Sequence, residues 1–227
     1  MISLKGCHFP KDSVLYAVYF YLRYTVPYRD LEEIMAERGV QVDHATLNRW
    51  VVKYSPMIAA SAQSKKRCCD RSWRMDETYV RVKGEWVYLY RAVDKHGKTR
   101  DFMLSERRKR PAAARFFAKA LSTNGIPSRI VIDKSGANAA GIREVNKILN
   151  RFGCPAKIQT VRSKNLNNLI EQDHRFIKRR VRHTCGFKSF RSASATLDGI
   201  EVANMIRKRQ FSSTTKSGFR QFAEIAG

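Results

Sequence analysis

Apolar residues recur at helical spacing over the first fifty positions, then switch to strand-like runs, then return to helical spacing near the end. Val14, Leu15, Val18 and Leu22 line one face of a first helix. Pro27 suits the start of a second helix, whose buried stripe is Leu31, Ile34 and Met35, and Gly39 ends it. Asp43 is placed to cap a third, with Leu47, Trp50, Val51 and Tyr54 turned inward. The outer side of that helix shows His44, Thr46, Asn48, Arg49 and Lys53. Helix, tight turn, then a helix with a polar and basic outer face is a helix-turn-helix pattern, predicted for residues 1–55. Thr46, Asn48 and Arg49 are then expected near base edges and Lys53 near phosphate, with His44 at the head of the helix. A trihelical packing module with a solvated face has the same periodicity.

Residues 56–72 read as a linker, because Ser61, Ser64, Lys65, Lys66 and Arg67 carry no apolar period. From Trp73 the chain turns to aromatic and β-branched runs. Residues 74–82, 86–93 and 101–104 are predicted strands, separated by turns at Lys83-Gly84 and Asp94 to Gly97. A helix over 112–121, a short strand at 129–133, a helix over 139–150, a strand at 158–161 and a long basic helix over 166–182 follow. Three meander strands and then alternating helix and strand describe an α/β domain with a mixed sheet, of ribonuclease-H-like topology, over residues 73–184. Residues 185–211 form a helical extension around Leu197, Ile200, Val202, Met205 and Ile206, and 212–227 a flexible tail. Trp73, Trp86 and the tyrosines are expected in the core. No internal repeat or low-complexity block appears.

Composition narrows the partner. With 43% hydrophobic residues the chain can bury a core, yet 44 Lys and Arg against 20 Asp and Glu leave a formal charge of +24. Such a surplus fits a polyanion, and nucleic acid first. No apolar run approaches membrane-spanning length, and residues 1–14 lack the apolar stretch of a signal peptide, so a cytoplasmic, nucleoid-associated protein is expected. Five cysteines without CxxC spacing suggest reduced thiols. Cys7-His8, Cys68-Cys69 and His183-x-Cys185 offer only fragments of a zinc site, and none is expected.

Charge of this kind on an α/β fold directs attention to phosphodiester chemistry. Two divalent cations about 4 Å apart can activate a nucleophile and stabilise a leaving oxygen, provided carboxylates hold them. Magnesium takes oxygen ligands, so a few acids on separate elements suffice. Asp76 lies within the first strand, where aspartate is disfavoured. Asp133 ends Ile130-Val131-Ile132, although it can equally open a turn with Ser135-Gly136. Glu171 lies early in the long basic helix and says little alone; Lys178 follows it by about two turns. Glu77 and Asp173 read as solvated neighbours, Asp94 as a turn residue and Asp101 as a strand-edge charge. Arg175, Lys178, Arg179, Arg180 and Arg182, and the cluster Arg107-Arg108-Lys109-Arg110, are candidate phosphate contacts. Solvated charge is the alternative for both.

Several motifs together carry a resemblance. They are Arg74-Met75-Asp76-Glu77-Thr78-Tyr79-Val80, Tyr88 to Asp94, Asn167 to His174 with Lys178-Arg179, Tyr28 to Glu33 with Val42 to Trp50, and Gly186-Phe187-Lys188-Ser189. In this order they resemble the DDE transposases of bacteria, and more narrowly the insertion-sequence-six family, from about Lys5 to Phe211. Leu166 departs from the aromatic residue common there. The resemblance implies that Asp76, Asp133 and Glu171 are catalytic metal ligands and that Lys178 is the trailing cation. It implies two magnesium ions, replaceable by manganese. It also implies binding of terminal inverted repeats by the amino-terminal helices, release of 3′-hydroxyls and their joining to target DNA, with cointegrates as products. Pairing two double-stranded ends implies at least a dimer in the synaptic complex. Three other readings of the residues stay open: a helix-turn-helix regulator without activity, a hydrolytic nuclease on the same fold, and a decayed copy that still binds DNA.

Overall fold

A computed structural model describes residues 8–67, 70–133, 136–163, 165–182, 186–211 and 216–227. Cys7, Cys68, Cys69, Ser135, His183 and Cys185, on which several of the readings above fall, lie outside the described residues. The chain divides into two compact units, residues 68–176 and residues 1–67 with 177–227.

The first of these is built on a five-stranded sheet. Strands β1 (Ser72–Val82), β2 (Glu85–Asp94) and β3 (Thr99–Ser105) form the antiparallel meander. Lys83 and Gly84 close the β1–β2 hairpin with positive φ at both positions, the backbone twist a two-residue turn requires. Helix α4 (Arg110–Asn124) leads to β4 (Arg129–Ile132), and α5 (Gly136–Arg151) to β5 (Gln159–Arg162). The order is β3-β2-β1-β4-β5, with β4 parallel to both β1 and β5. This is the expected ribonuclease-H-like mixed sheet. Trp73, Met75, Tyr90, Phe116, Phe117, Ile130, Ile132 and Ile142 make its core with α4 and α5. Trp73 is buried as expected, but Trp86 is 60% exposed near the hairpin tip, because the alternation of β2 turns it out of the core. A short 3-10 turn, Asn165–Asn167, precedes α6 (Asn168–Arg182).

The other unit is helical. Its helices are α1 (Lys11–Arg23), α2 (Tyr28–Glu37), α3 (His44–Lys65), α7 (Phe190–Arg207) and α8 (Gly218–Ala226). Pro27 caps α2, and the Asp43 carboxylate accepts from the Thr46 amide at 2.9 Å to cap α3. Leu31 and Met35 are buried, while Ile34 is half-buried. Two expectations need correction. α3 does not stop near Ser55 but continues through Pro56 to Lys65, across most of the stretch read as a linker. Ile58, Ala59 and Ala62 carry its buried stripe onward, and small side chains there let other helices come close. Nor is the segment after Ser212 wholly a loose tail. Ser217 caps α8 by accepting from Arg220, Phe222 and Ile225 are buried, and the Ser61 hydroxyl donates to the Ile225 carbonyl at 2.6 Å.

Gly199 marks a close helix contact. A Cβ there would stand 2.5 Å from Leu22 Cδ1 and 2.6 Å from Ser55 Oγ, on α1 and α3. Gly199→Ala is therefore expected to destabilise the helical unit by about 1–3 kcal/mol, outweighing a helix-propensity gain of about 1 kcal/mol. Thermal denaturation reads this as a fall in Tm, and an unchanged Tm would contradict the close packing of α7. Among the described residues no helix is long and apolar enough to cross a membrane.

Candidate active site

Asp76 sits mid-way along β1, paired in register with Arg91 of β2. On its other side β4 runs parallel, with Arg74 opposite Val131. Two residues further along the same register bring Asp133, the first residue beyond β4, level with Asp76. Glu171 is exposed in the first turn of α6. Their proximity registers electrostatically. Burial is the largest cause that pushes the Asp76 carboxyl up to about 7, and the charges of Glu77, Asp133 and Glu171 push the same way against a hydrogen bond from the Glu77 amide. His174, buried one turn after Glu171, places Nδ1 3.6 Å from Asp76 Oδ2.

The donor set suits a hard cation. It is all carboxylate oxygen, and mutual repulsion around Asp76 is what a divalent ion would relieve. Among the described residues, however, no three His, Cys, Asp or Glu side chains stand close enough together to hold an ion as placed. Lys178 lies two turns beyond Glu171 on α6 and is exposed.

Two acids read as solvated are neither solvated nor spare. Glu77 is buried: Arg108 donates to Oε1, and the Asn138 amide donates to Oε2 at 2.6 Å. Asp173 is buried against the fully buried Arg91, whose Nη2 stands 2.6 Å from Oδ2. The two pairs clamp the strand of Asp76 and the helix of Glu171 to their surroundings. Asp94 behaves as a turn residue, accepting from the amides of Asp70, His96 and Lys98. Asp101 does lie on the edge strand, but buried, with Lys119 Nζ at 2.9 Å. Of the 107–110 cluster, Arg108 pairs with buried Glu77 and Arg110 with Glu144 at the surface. A helical wheel would have found His174, three residues after Glu171; the distant partners of Glu77 and Asp173 left no local trace.

The proposed DNA-reading residues lie on the first three turns of α3, exposed except for half-buried Thr46. They are tied down rather than free. His44 Nδ1 pairs with Glu32 Oε2 at 3.0 Å, Thr46 donates to Asp43, and Arg49 donates to Thr46 at 2.7 Å. Asn48 shares a hydrogen bond with the Tyr28 hydroxyl, and the Lys53 ammonium lies over the Tyr54 ring. On α6, Arg175, Arg179 and Arg182 are exposed, whereas half-buried Arg180 donates to Thr25 Oγ1 at 3.0 Å.

The raised Asp76 gives a signed expectation for the metal-free protein. Its folded pKa, about 7, exceeds the ordinary 3.8, so its contribution is complete below about 4 and is lost as pH climbs through about 7. Asp76→Asn removes that loss. The Tm of the variant relative to the parent should rise between pH 5 and pH 8, and a difference that stays flat would contradict the buried, repelled carboxyl.

Comparison with known proteins identifies the family. A family model described as a DDE domain matches residues 70–210. Over 218 residues the chain is 39% identical to the transposase for the insertion sequence-like element IS431mec of Staphylococcus aureus, covering 96% of this chain and 94% of that protein. It is 38% identical over the same length to the transposase for insertion sequence element IS257 in transposon Tn4003, also from Staphylococcus aureus. Among solved structures, the catalytic core domain of BIV integrase overlaps 69% of this chain and 95% of its own at a TM-score of 0.45 and 14% identity. That overlap adds nothing to what the sheet order establishes. With both a family model and near full-length relatives in agreement, the chain belongs to the insertion-sequence-six family of bacterial DDE transposases, polynucleotidyl transferases of DNA transposition.

Proposed function

We propose that this transposase binds the terminal inverted repeats of its element through α1 to α3, nicks the ends to free 3′-hydroxyls, and joins them to target DNA in the bacterial cytoplasm. The observation that carries this reading is the β1–β4 register, which sets Asp133 level with Asp76, with Glu171 of α6 near enough for its charge to help raise the Asp76 carboxyl. Magnesium ions, two of them and replaceable by manganese, would be held by these three residues and supply Lewis acidity and a more acidic water. The protein's part is to hold the carboxylates in place and aimed. Arg91 and Asp173 fix the turn of α6 that bears Glu171, and Glu77 with Asn138 fixes β1 against the start of α5.

In the first step water attacks the phosphorus at the transposon end, and the 3′-oxygen leaves with a proton. In the second that 3′-hydroxyl attacks a target phosphodiester, one P–O bond forming as another breaks, so no ATP is needed. Cointegrates are the products. Lys178, with Arg175, Arg179, Arg180 and Arg182, supplies cations for the phosphates, and two copies or more pair the ends.

A labelled terminal-repeat duplex incubated with supercoiled target and magnesium tests this. Joined product is expected. Cleavage without joining would instead indicate a hydrolytic nuclease, and binding without nicking at any divalent concentration would indicate a regulator.

A further inference from the structure

The helical unit contains a cavity of about 510 Å³ that the functions above leave unused. The head of α3 forms part of its lining, through His44, Ala45 and Asn48. Rings of Tyr24, Tyr28 and Phe187 contribute walls, and Arg180 and Lys188 contribute charge. None of the described lining residues is acidic, although Glu32 pairs with His44 beside it. The aromatic wall is already built: Tyr28 stacks on Tyr21 with centroids 4.0 Å apart, and its hydroxyl is held by Tyr21 and Asn48. The cationic side is crowded. Burial first, then Arg23, Arg179 and Arg207, bring Arg180 down to about 10. A phosphate is the group that would ease such crowding.

We propose that this cavity receives a single nucleotide swung out of a DNA stack, its phosphate toward Arg180 and Lys188 and its base among the tyrosine and phenylalanine rings. Aromatic rings receive unstacked bases of any sequence, and a cavity of this size accommodates far more than a bare phosphate. The position fits a nucleotide of a polymer, since exposed His44, Ala45 and Asn48 line the cavity on the helix expected to meet DNA. The proposal rests on that DNA-binding reading. It changes the task of Asn48 and His44, from reading base edges to shaping a pocket for a displaced base.

The test uses the full chain and a duplex of unrelated sequence that carries one 5-iododeoxyuridine, placed opposite an abasic site or opposite adenine. A base already unpaired needs little energy to leave the stack. The abasic-site duplex is expected to photocrosslink about tenfold more than the paired duplex, at Tyr24, Tyr28 or Phe187. Ala45→Trp, which fills the cavity from its exposed rim, should bring the yield down to the paired level. Crosslinks mapping outside the cavity, or equal yields from both wild-type reactions, would overturn the proposal; if Ala45→Trp fails to fold, the wild-type map decides alone. Because the duplex contains no terminal repeat, failure of repeat recognition would leave this result untouched, and failure of the crosslink would leave repeat recognition standing.

Discussion

Asp76→Asn is expected to lower the single-turnover rate of strand transfer by at least about a thousandfold, since several kcal/mol of transition-state stabilisation depend on a held cation. The substitution keeps the shape of the side chain and removes only its charge. Folding should not suffer, because burial and the charges of Glu77, Asp133 and Glu171 already oppose ionisation there. Affinity for the terminal-repeat duplex should change little, since the candidate contacts are cations elsewhere. A gel of labelled duplex with magnesium reads both quantities. Full strand transfer by the variant would overturn the assignment of Asp76.

The second large effect is structural. Arg91→Met leaves the Asp173 carboxylate buried without its 2.6 Å partner, and breaking a buried ion pair from one side costs about 3–5 kcal/mol. The Tm should fall by roughly 10 °C. Joining activity should fall as well at temperatures where the variant stays folded, because Asp173 lies two residues beyond Glu171 on the same helix. Arg91→Met combined with Asp173→Leu should recover part of the lost stability, since neither charge of the pair is left without the other. Calorimetry on the two variants separates the outcomes, and a single variant as stable as the parent would show that the pair does not anchor α6.

These two residues also mark what can be read from a linear chain. Aspartate in the middle of a β-favouring run stands out locally, so Asp76 was legible, as were Asp43 before a helix and Lys83-Gly84 between strands. Asp173 was not, because its partner Arg91 lies 82 positions away and nothing near it signals burial. Glu77 has the same history, satisfied by Arg108 and Asn138 from later elements. The extension of α3 to Lys65 was hidden by composition: alanine and serine add little to an apolar count, yet they are the side chains that tight helix packing needs. α8 was hidden by its brevity, with a stripe of Phe219, Phe222 and Ile225 following a polar run. For the α3 surface, residue types could be read but not their commitments, and Asn48 bonded to Tyr28 is a different object from an amide free to meet a base.

Asp76 of β1, Asp133 just beyond β4 and Glu171 of α6 together make the proposed cation-binding site. Anomalous diffraction from crystals soaked in manganese measures it most directly. Anomalous density is expected, bounded by carboxylate oxygens of Asp76, Asp133 and Glu171 that have moved inward from their metal-free positions. Manganese bound elsewhere in the chain, or the three carboxylates remaining apart at saturating manganese, would contradict it.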